Sequence, residues 1–154
     1  MTLFRKCVTC WHMPNKSIFF VSVILCGMAC IAKVLFSYAV LSRYFGRHQR
    51  MLCASTMISP QQIQQAILIK RAIALVVNYF PCYSNCLVQA MVAKFWCKFY
   101  HIPYLLFIGL AKESEKPLGR DGHAWLTAGP IALSGGHSLS THVVISTYSN
   151  LKHA

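Results

Sequence analysis

The chain has 154 residues, 56% hydrophobic and only 12% charged, a length that suits one compact domain with little left for a second. Fifteen Lys and Arg stand against three acids, Glu113, Glu115 and Asp121, giving a net charge of +12. Such a balance points to an acidic partner, a membrane surface or nucleic acid, or to a cationic surface with no dedicated partner; no RNA-binding signature, zinc-finger spacing or basic helix supports nucleic acid.

Cys7 and Cys10 form a CxxC with His12 nearby. Covalent haem attachment needs the histidine directly after the second cysteine, and a zinc site needs more ligands than this neighbourhood offers. These cysteines are read as incidental, and no metal or cofactor is expected. Cys26, Cys30 and Cys97 lie inside apolar runs, where a free cysteine acts as a small buried hydrophobe. Eight cysteines used in this way fit a reducing cytosol better than a secreted disulfide framework.

Residues 17–42 are strongly apolar, and three readings compete. A signal peptide lacks a small-x-small cleavage site, and the apolar run resumes after Lys33. A membrane span wants roughly 20 uninterrupted apolar residues, and the run before Lys33 is shorter. A buried or interface-lying helix, with Lys33 snorkelling to one side, is preferred. The expected location is therefore cytoplasmic, with peripheral membrane contact as the alternative.

Residues 42–57 are basic and polar and read as a connector. Ser59 at an N-cap and Pro60 at the first helical position open a helix through residues 61–79, which Pro81 stops. Residues 80–86 form a loop that delivers Cys86 onto a second helix. Asn85 is its cap, and His101-Ile102-Pro103 ends it near residue 100. Residues 104–110 suit a buried strand and residues 112–122 an exposed loop. Residues 123–127, 131–133 and 143–148 suit further strands, with turns at Gly129-Pro130 and Gly135-Gly136. The organisation expected is a hydrophobic helical lead-in over residues 1–58 and a core over residues 59–154.

Within that core, Cys86 and His123 carry the chemistry. A thiol at a helix N-terminus meets the positive end of the helix dipole, which favours the thiolate. A histidine beside it deprotonates the thiol and later protonates a leaving amine. Taken alone, each residue is as well explained by a core position; together, with the cap, they are read as nucleophile and base. Cys82 is a rival in the loop with no helix behind it, and Cys97 is read as core. Gln89, one turn after Cys86, either helps hold a scissile carbonyl or is simply a surface residue. Trp125 shares a strand face with His123 and either walls the cleft or fills the core. The Cys86 backbone amide is a natural oxyanion donor.

Helix with Cys, strand, loop, strand with His is the order of the transglutaminase-like, papain-related cysteine-enzyme core. Asn85-Cys86-Leu87-Val88-Gln89-Ala90, the helix end at His101-Ile102-Pro103, the strand Leu105-Leu106-Phe107-Ile108-Gly109 and then His123-Ala124-Trp125 resemble the lasso-peptide maturation protease. The likeness is to its standalone transglutaminase-like leader peptidase half, the B protein, and spans about residues 63–148. It implies an α+β fold with Cys on a helix N-terminus and His on an antiparallel sheet, preceded by N-terminal helices. It also implies a cysteine peptidase that removes the leader from a ribosomally made precursor peptide, so that an asparagine-synthetase-like cyclase can close the macrolactam. Leader recognition belongs to a separate protein in this reading, because the chain has no room for that domain before residue 60.

One departure stands out. Family members often complete the triad with a carboxylate downstream of the histidine, and here no acid follows Asp121. The third role has several candidates: a backbone carbonyl, Ser134, His137, Asn150, or Asp121 from the loop side. Two readings of other classes remain beside the peptidase. One is a catalytically degenerate scaffold of the maturation complex; the other is a membrane-associated cationic interaction protein.

Overall fold

The computed structural model describes residues 16–49, 56–83, 85–111, 122–135 and 142–150. Helix α1 (Lys16–Leu35) comes first. Ile18, Phe19, Ser22, Cys26 and Ala29 are its buried positions, and most fall on one side of the helix. The indole Nε1–H of Trp96 donates to Ser22 Oγ at 2.9 Å inside the protein. That bond keys α1 to the core, because a buried hydroxyl and indole each need a partner. Burial, then the neighbouring Cys30 and Cys82, push the Cys26 thiol up to about 11. The apolar run breaks at Phe36-Ser37, where Ser37 is extended (φ −66°, ψ 156°), and resumes as the short α2 (Tyr38–Ser42). Lys33 is exposed in the last turn of α1.

Residues 42–57 are more than a connector. Arg47–Gln49 form β1, an edge strand that pairs antiparallel with the last strand of the chain, Arg47 opposite Ser149 and His48 opposite Tyr148. Gly46 makes the entry. Its φ is +120°, and a Cβ there would lie 2.6 Å from the Ser149 carbonyl oxygen, so the chain approaches the sheet only without a side chain. The Tyr104 hydroxyl donates to the Phe45 carbonyl at 3.1 Å and fixes the same corner. Residues before position 59 thus supply both a helix and a strand to the one core.

Helix α3 (Pro60–Tyr79) begins as the sequence indicates. Gln62 N–H donates to Ser59 Oγ at 3.3 Å, and Ser59 N–H donates to Gln62 Oε1 at 2.9 Å, a reciprocal capping box. Pro81 opens a single 3-10 turn, Pro81–Tyr83, and α4 (Cys86–Phe99) follows. Leu87 N–H donates to Asn85 Oδ1 at 3.1 Å, so Asn85 caps α4 as expected. The far end closes with Ile102 N–H on the Cys97 carbonyl (2.7 Å) and His101 N–H on the Lys98 carbonyl (3.3 Å). His101 takes φ +53° to do so, the left-handed residue of a Schellman closure.

The remaining strands are β2 (Leu105–Ala111), β3 (Gly122–Ala128), β4 (Ile131–Ser134) and β5 (His142–Ser149). With β1 they form a five-stranded antiparallel sheet in the order β1-β5-β2-β3-β4. Each lies within a residue or two of the stretch read as a strand. Helices α3 and α4 pack on the β3-β4 side of the sheet, and α1 packs on α3 and α4. Leu106, Leu126, Ala128 and Tyr148 from the sheet join Ile69, Ile73, Val76, Val88 and Val92 from the helices in one core. Each such large aliphatic contributes about 1.5–3 kcal/mol by leaving water. The α+β architecture with N-terminal helices is the one the sequence indicates.

Candidate active site

Cys86 is the first residue of α4 and is half-buried, packed against the edge of the core. Its position follows from Pro81, which ends the preceding chain direction, and from Asn85, whose side chain holds the first turn. Cys82 is exposed in the 3-10 turn, with no helix of its own. Cys97 is fully buried, and burial pushes its thiol up to about 12, so it is a core residue as expected.

His123 lies near the start of β3, and α4 packs on this strand. The strand alternates, as a pleated backbone must. Ala124, Leu126 and Ala128 join the core that the helices cover, whereas His123 and Trp125 belong to the other row. Trp125 is buried and stacks between His123 (ring centroids 6.0 Å) and Phe107 (5.6 Å). Its Nε1 has no hydrogen-bond partner among the described residues. Gly109 is directly opposite His123, and a Cβ there would lie 2.9 Å from the Trp125 ring. The absent side chain is what lets the indole lie flat across β2.

The imidazole of His123 is held from two sides. It hydrogen-bonds to the backbone of Gly135, an interaction that favours the protonated ring. Nε2 is the atom that faces Gly135, since a Cβ built there would lie only 2.7 Å from it. On the other side stands His142, the first residue of β5, with ring centroids 5.2 Å apart. Burial first, and then His142, pull the His123 pKa below its ordinary value, with the Gly135 bond acting in the opposite direction. The net pull disfavours the protonated ring and so favours the neutral form, the one that accepts a proton.

Gly135 also connects His123 to a cavity. An open cavity of about 380 Å³ lies between α3 and β4, and Gln89, Ser134, Gly135 and Lys70 line it. Gln89 is one turn along α4 from Cys86. Ser134 is buried, and its Oγ has no hydrogen-bond partner among the described residues. Of the residues picked from the sequence, Gln89 and Ser134 thus share this cavity, and His123 meets it through Gly135. The structure does not bring Cys86 and His123 together: no hydrogen bond joins them among the described residues, and His123 lies in the row of β3 away from the helix-covered core against which Cys86 packs. Asp121 and His137 lie outside the described residues, as does the Cys7-Cys10 pair. Asn150 is committed elsewhere: its Oδ1 accepts from Tyr104 N–H (3.0 Å), and its Nδ2 donates to the Ile102 carbonyl (3.1 Å).

Two residues here were not singled out from the sequence. Gly135 reads there only as part of a turn, and nothing but its positive φ of +63° and the ring against it marks it as a seat for the imidazole. His142 precedes the run read as the last strand, and only the register Ala111 opposite His142 carries it to His123.

The model of the transglutaminase-like superfamily matches residues 32–147, which include α4 with Cys86 and β3 with His123. No curated protein and no solved structure matches the chain. A match over so much of the chain, on an α+β core with cysteine at a helix N-terminus and histidine on the adjoining sheet, identifies it as a member of the transglutaminase-like superfamily, which includes cysteine peptidases.

Proposed function

We propose that the chain is a cysteine peptidase that removes the leader of a lasso-peptide precursor, working with a separate recognition protein and a macrolactam cyclase. The observation that supports this reading is the placing of Cys86 at the capped start of α4, with the imidazole of His123 braced by the Gly135 backbone beside the cavity that Gln89 lines. A backbone carbonyl at Gly135 takes the orienting role that a carboxylate plays in a triad. Cys86 Sγ gives its proton to His123 and attacks the scissile carbonyl carbon. The oxyanion is met by the Cys86 backbone amide, with Gln89 adding a second donor. The C–N bond breaks as His123 returns the proton to the leaving amine. Water, deprotonated by the same imidazole, then cleaves the thioester and restores the thiol. In the free chain His123 belongs to the row of β3 turned away from the helix-covered core against which Cys86 packs, so this transfer requires the imidazole to swing round the β3 edge towards the cavity at Gly135.

The test is cleavage of a precursor peptide, followed by mass spectrometry, with the recognition protein present. Cys86→Ala should abolish cutting, and Cys82→Ala should leave it intact. His123→Ala should lower turnover by roughly 100- to 10,000-fold, as for a lost general base. Full activity in Cys86→Ala sinks the assignment. The lack of an acid after Asp121 favours a second reading, a non-catalytic scaffold of the maturation complex. A thiol-reactive leader analogue separates the two, because it labels Cys86 in a peptidase and leaves a scaffold unmodified.

A further inference from the structure

Helix α1 is apolar on both sides, and only one side is used. Ile18, Ser22, Cys26 and Ala29 face the core. Phe20, Ile24, Met28, Ile31 and Leu35 are exposed, Ile24 by 63% and Leu35 by 70%. Their steps of four, four, three and four residues draw one stripe along the helix, roughly 22 Å long at 1.5 Å per residue. The stripe continues sideways. An apolar cavity of about 250 Å³ between α1 and α4 is lined by Leu25, Met28, Met91 and Phe95. Beyond it, Phe95 stacks on Phe99, and both rings are exposed. Past the end of α1, Phe36, Tyr38 and Tyr44 are exposed aromatics as well. An exposed apolar stripe of this length, joined through that cavity to Phe95, is uncommon on a protein surrounded only by water.

Charge decides what covers it. Lys16 and Lys33 lie in the first and last turns of α1, and Arg43 follows α2. Lys94 and Lys98 flank Phe95; burial first, and then the neighbouring Lys98, disfavour the charge on Lys94, whereas Lys98 is exposed. All three acids of the chain fall within residues 112–121, so the described residues carry cations alone. A second copy seated on this face would set one strongly cationic surface against another. An anionic bilayer accepts both the apolar stripe and its basic rim. We propose that the outer face of α1, with the Phe95-Phe99 end of α4, rests on an anionic membrane, α1 lying parallel to the bilayer plane.

By length and composition alone α1 is able to cross a membrane. Its inner face argues for lying flat. Moving α1 into the bilayer would strip Cys26 and Ala29 from α3 and α4 and leave Trp96 Nε1 without Ser22. Lying flat keeps every one of those contacts and buries only what is already exposed.

The experiment is flotation of the purified full-length protein with phosphatidylcholine vesicles, with and without phosphatidylglycerol. The protein should float with the anionic vesicles, and more weakly with the neutral ones. Ile24→Glu with Ile31→Glu should weaken vesicle binding by at least about tenfold, while the far-UV circular dichroism stays unchanged. Lys94→Gln with Lys98→Gln should remove part of the preference for anionic lipid. Failure to float with anionic vesicles overturns the proposal, as does binding by the Ile24→Glu, Ile31→Glu variant equal to that of the wild type. A concentration-dependent dimer that this variant dissolves, with no vesicle binding by the wild type, assigns the face to a second copy instead. In membranes from expressing cells, tags at the two ends of the chain should both be cut by protease added to one side. Cutting of one tag only means that α1 crosses, and the proposal falls.

Discussion

Replacing Gly135 by alanine should unseat His123. Gly135 sits at φ +63°, and a side chain in that left-handed region costs about 1–2 kcal/mol. The added methyl would lie 2.7 Å from His123 Nε2, 2.8 Å from Trp125 Cβ and 2.9 Å from the Ala124 carbonyl oxygen, where ordinary contact begins near 3.4 Å. Trp125 Cβ and the Ala124 carbonyl are fixed by β3, so only the imidazole is free to yield. Overpacking of this kind costs about 1–3 kcal/mol, and with the backbone strain the variant should lose roughly 2–5 kcal/mol. The displaced ring also gives up its bond to the Gly135 backbone, the one influence that raises its pKa against burial and His142. The His123 pKa should therefore fall further below its ordinary value. Urea unfolding measures the first effect, and an NMR titration of the imidazole measures the second. A variant as stable as the wild type, with an unmoved titration, refutes this account of how the ring is held.

Other expectations follow from the same geometry. His142→Gln removes the like charge facing His123, so the His123 titration should move up towards its ordinary value of 6.5. The sign for stability is set by the lowered pKa: the unfolded chain protonates first as pH falls, so His123 costs no stability above about pH 6.5 and progressively more below it. Unfolding midpoints taken on both sides of that pH should show a smaller His123-linked loss in the variant; an unchanged His123 titration would mean that the two rings do not interact. His101 holds φ +53° at the end of α4, so His101→Gly should raise stability by about 1 kcal/mol, read from the urea midpoint.

The parts legible in the sequence are those with local causes. Ser59-Pro60 and Asn85 announce helix starts because a cap is a bond between near neighbours, and both bonds are present. Cys97 reads as core because it sits in an apolar run, and it is buried. The break at Ser37 was not legible, since the apolar pattern runs straight through it. Nor was β1: Arg47-His48-Gln49 has no apolar alternation, and its strand character comes from β5, far along the chain. The same holds for the site. Cys86 and His123 are marked by local motifs. Gly135 and His142 become neighbours of the imidazole only through the turn after β4 and the register of β5 on β2.

That long-range strand has a consequence for how the protein is made. β2, β3 and β4 form from one stretch of chain and pair in sequence order, whereas β5 inserts between β1 and β2. Arg47 pairs with Ser149, a separation of about a hundred residues that carries a high closure cost and delays pairing. On a ribosome, β1 emerges early and waits for nearly all the remaining synthesis, and one edge of β2 stays open over the same interval. Open edges recruit other chains, so the hazardous species is the nascent or refolding chain that has its meander but not its last strand. Pulsed hydrogen exchange during refolding should find the Phe107–Trp125 region of β2 and β3 protected before His48, and simultaneous protection would show that the two ends of the chain meet early.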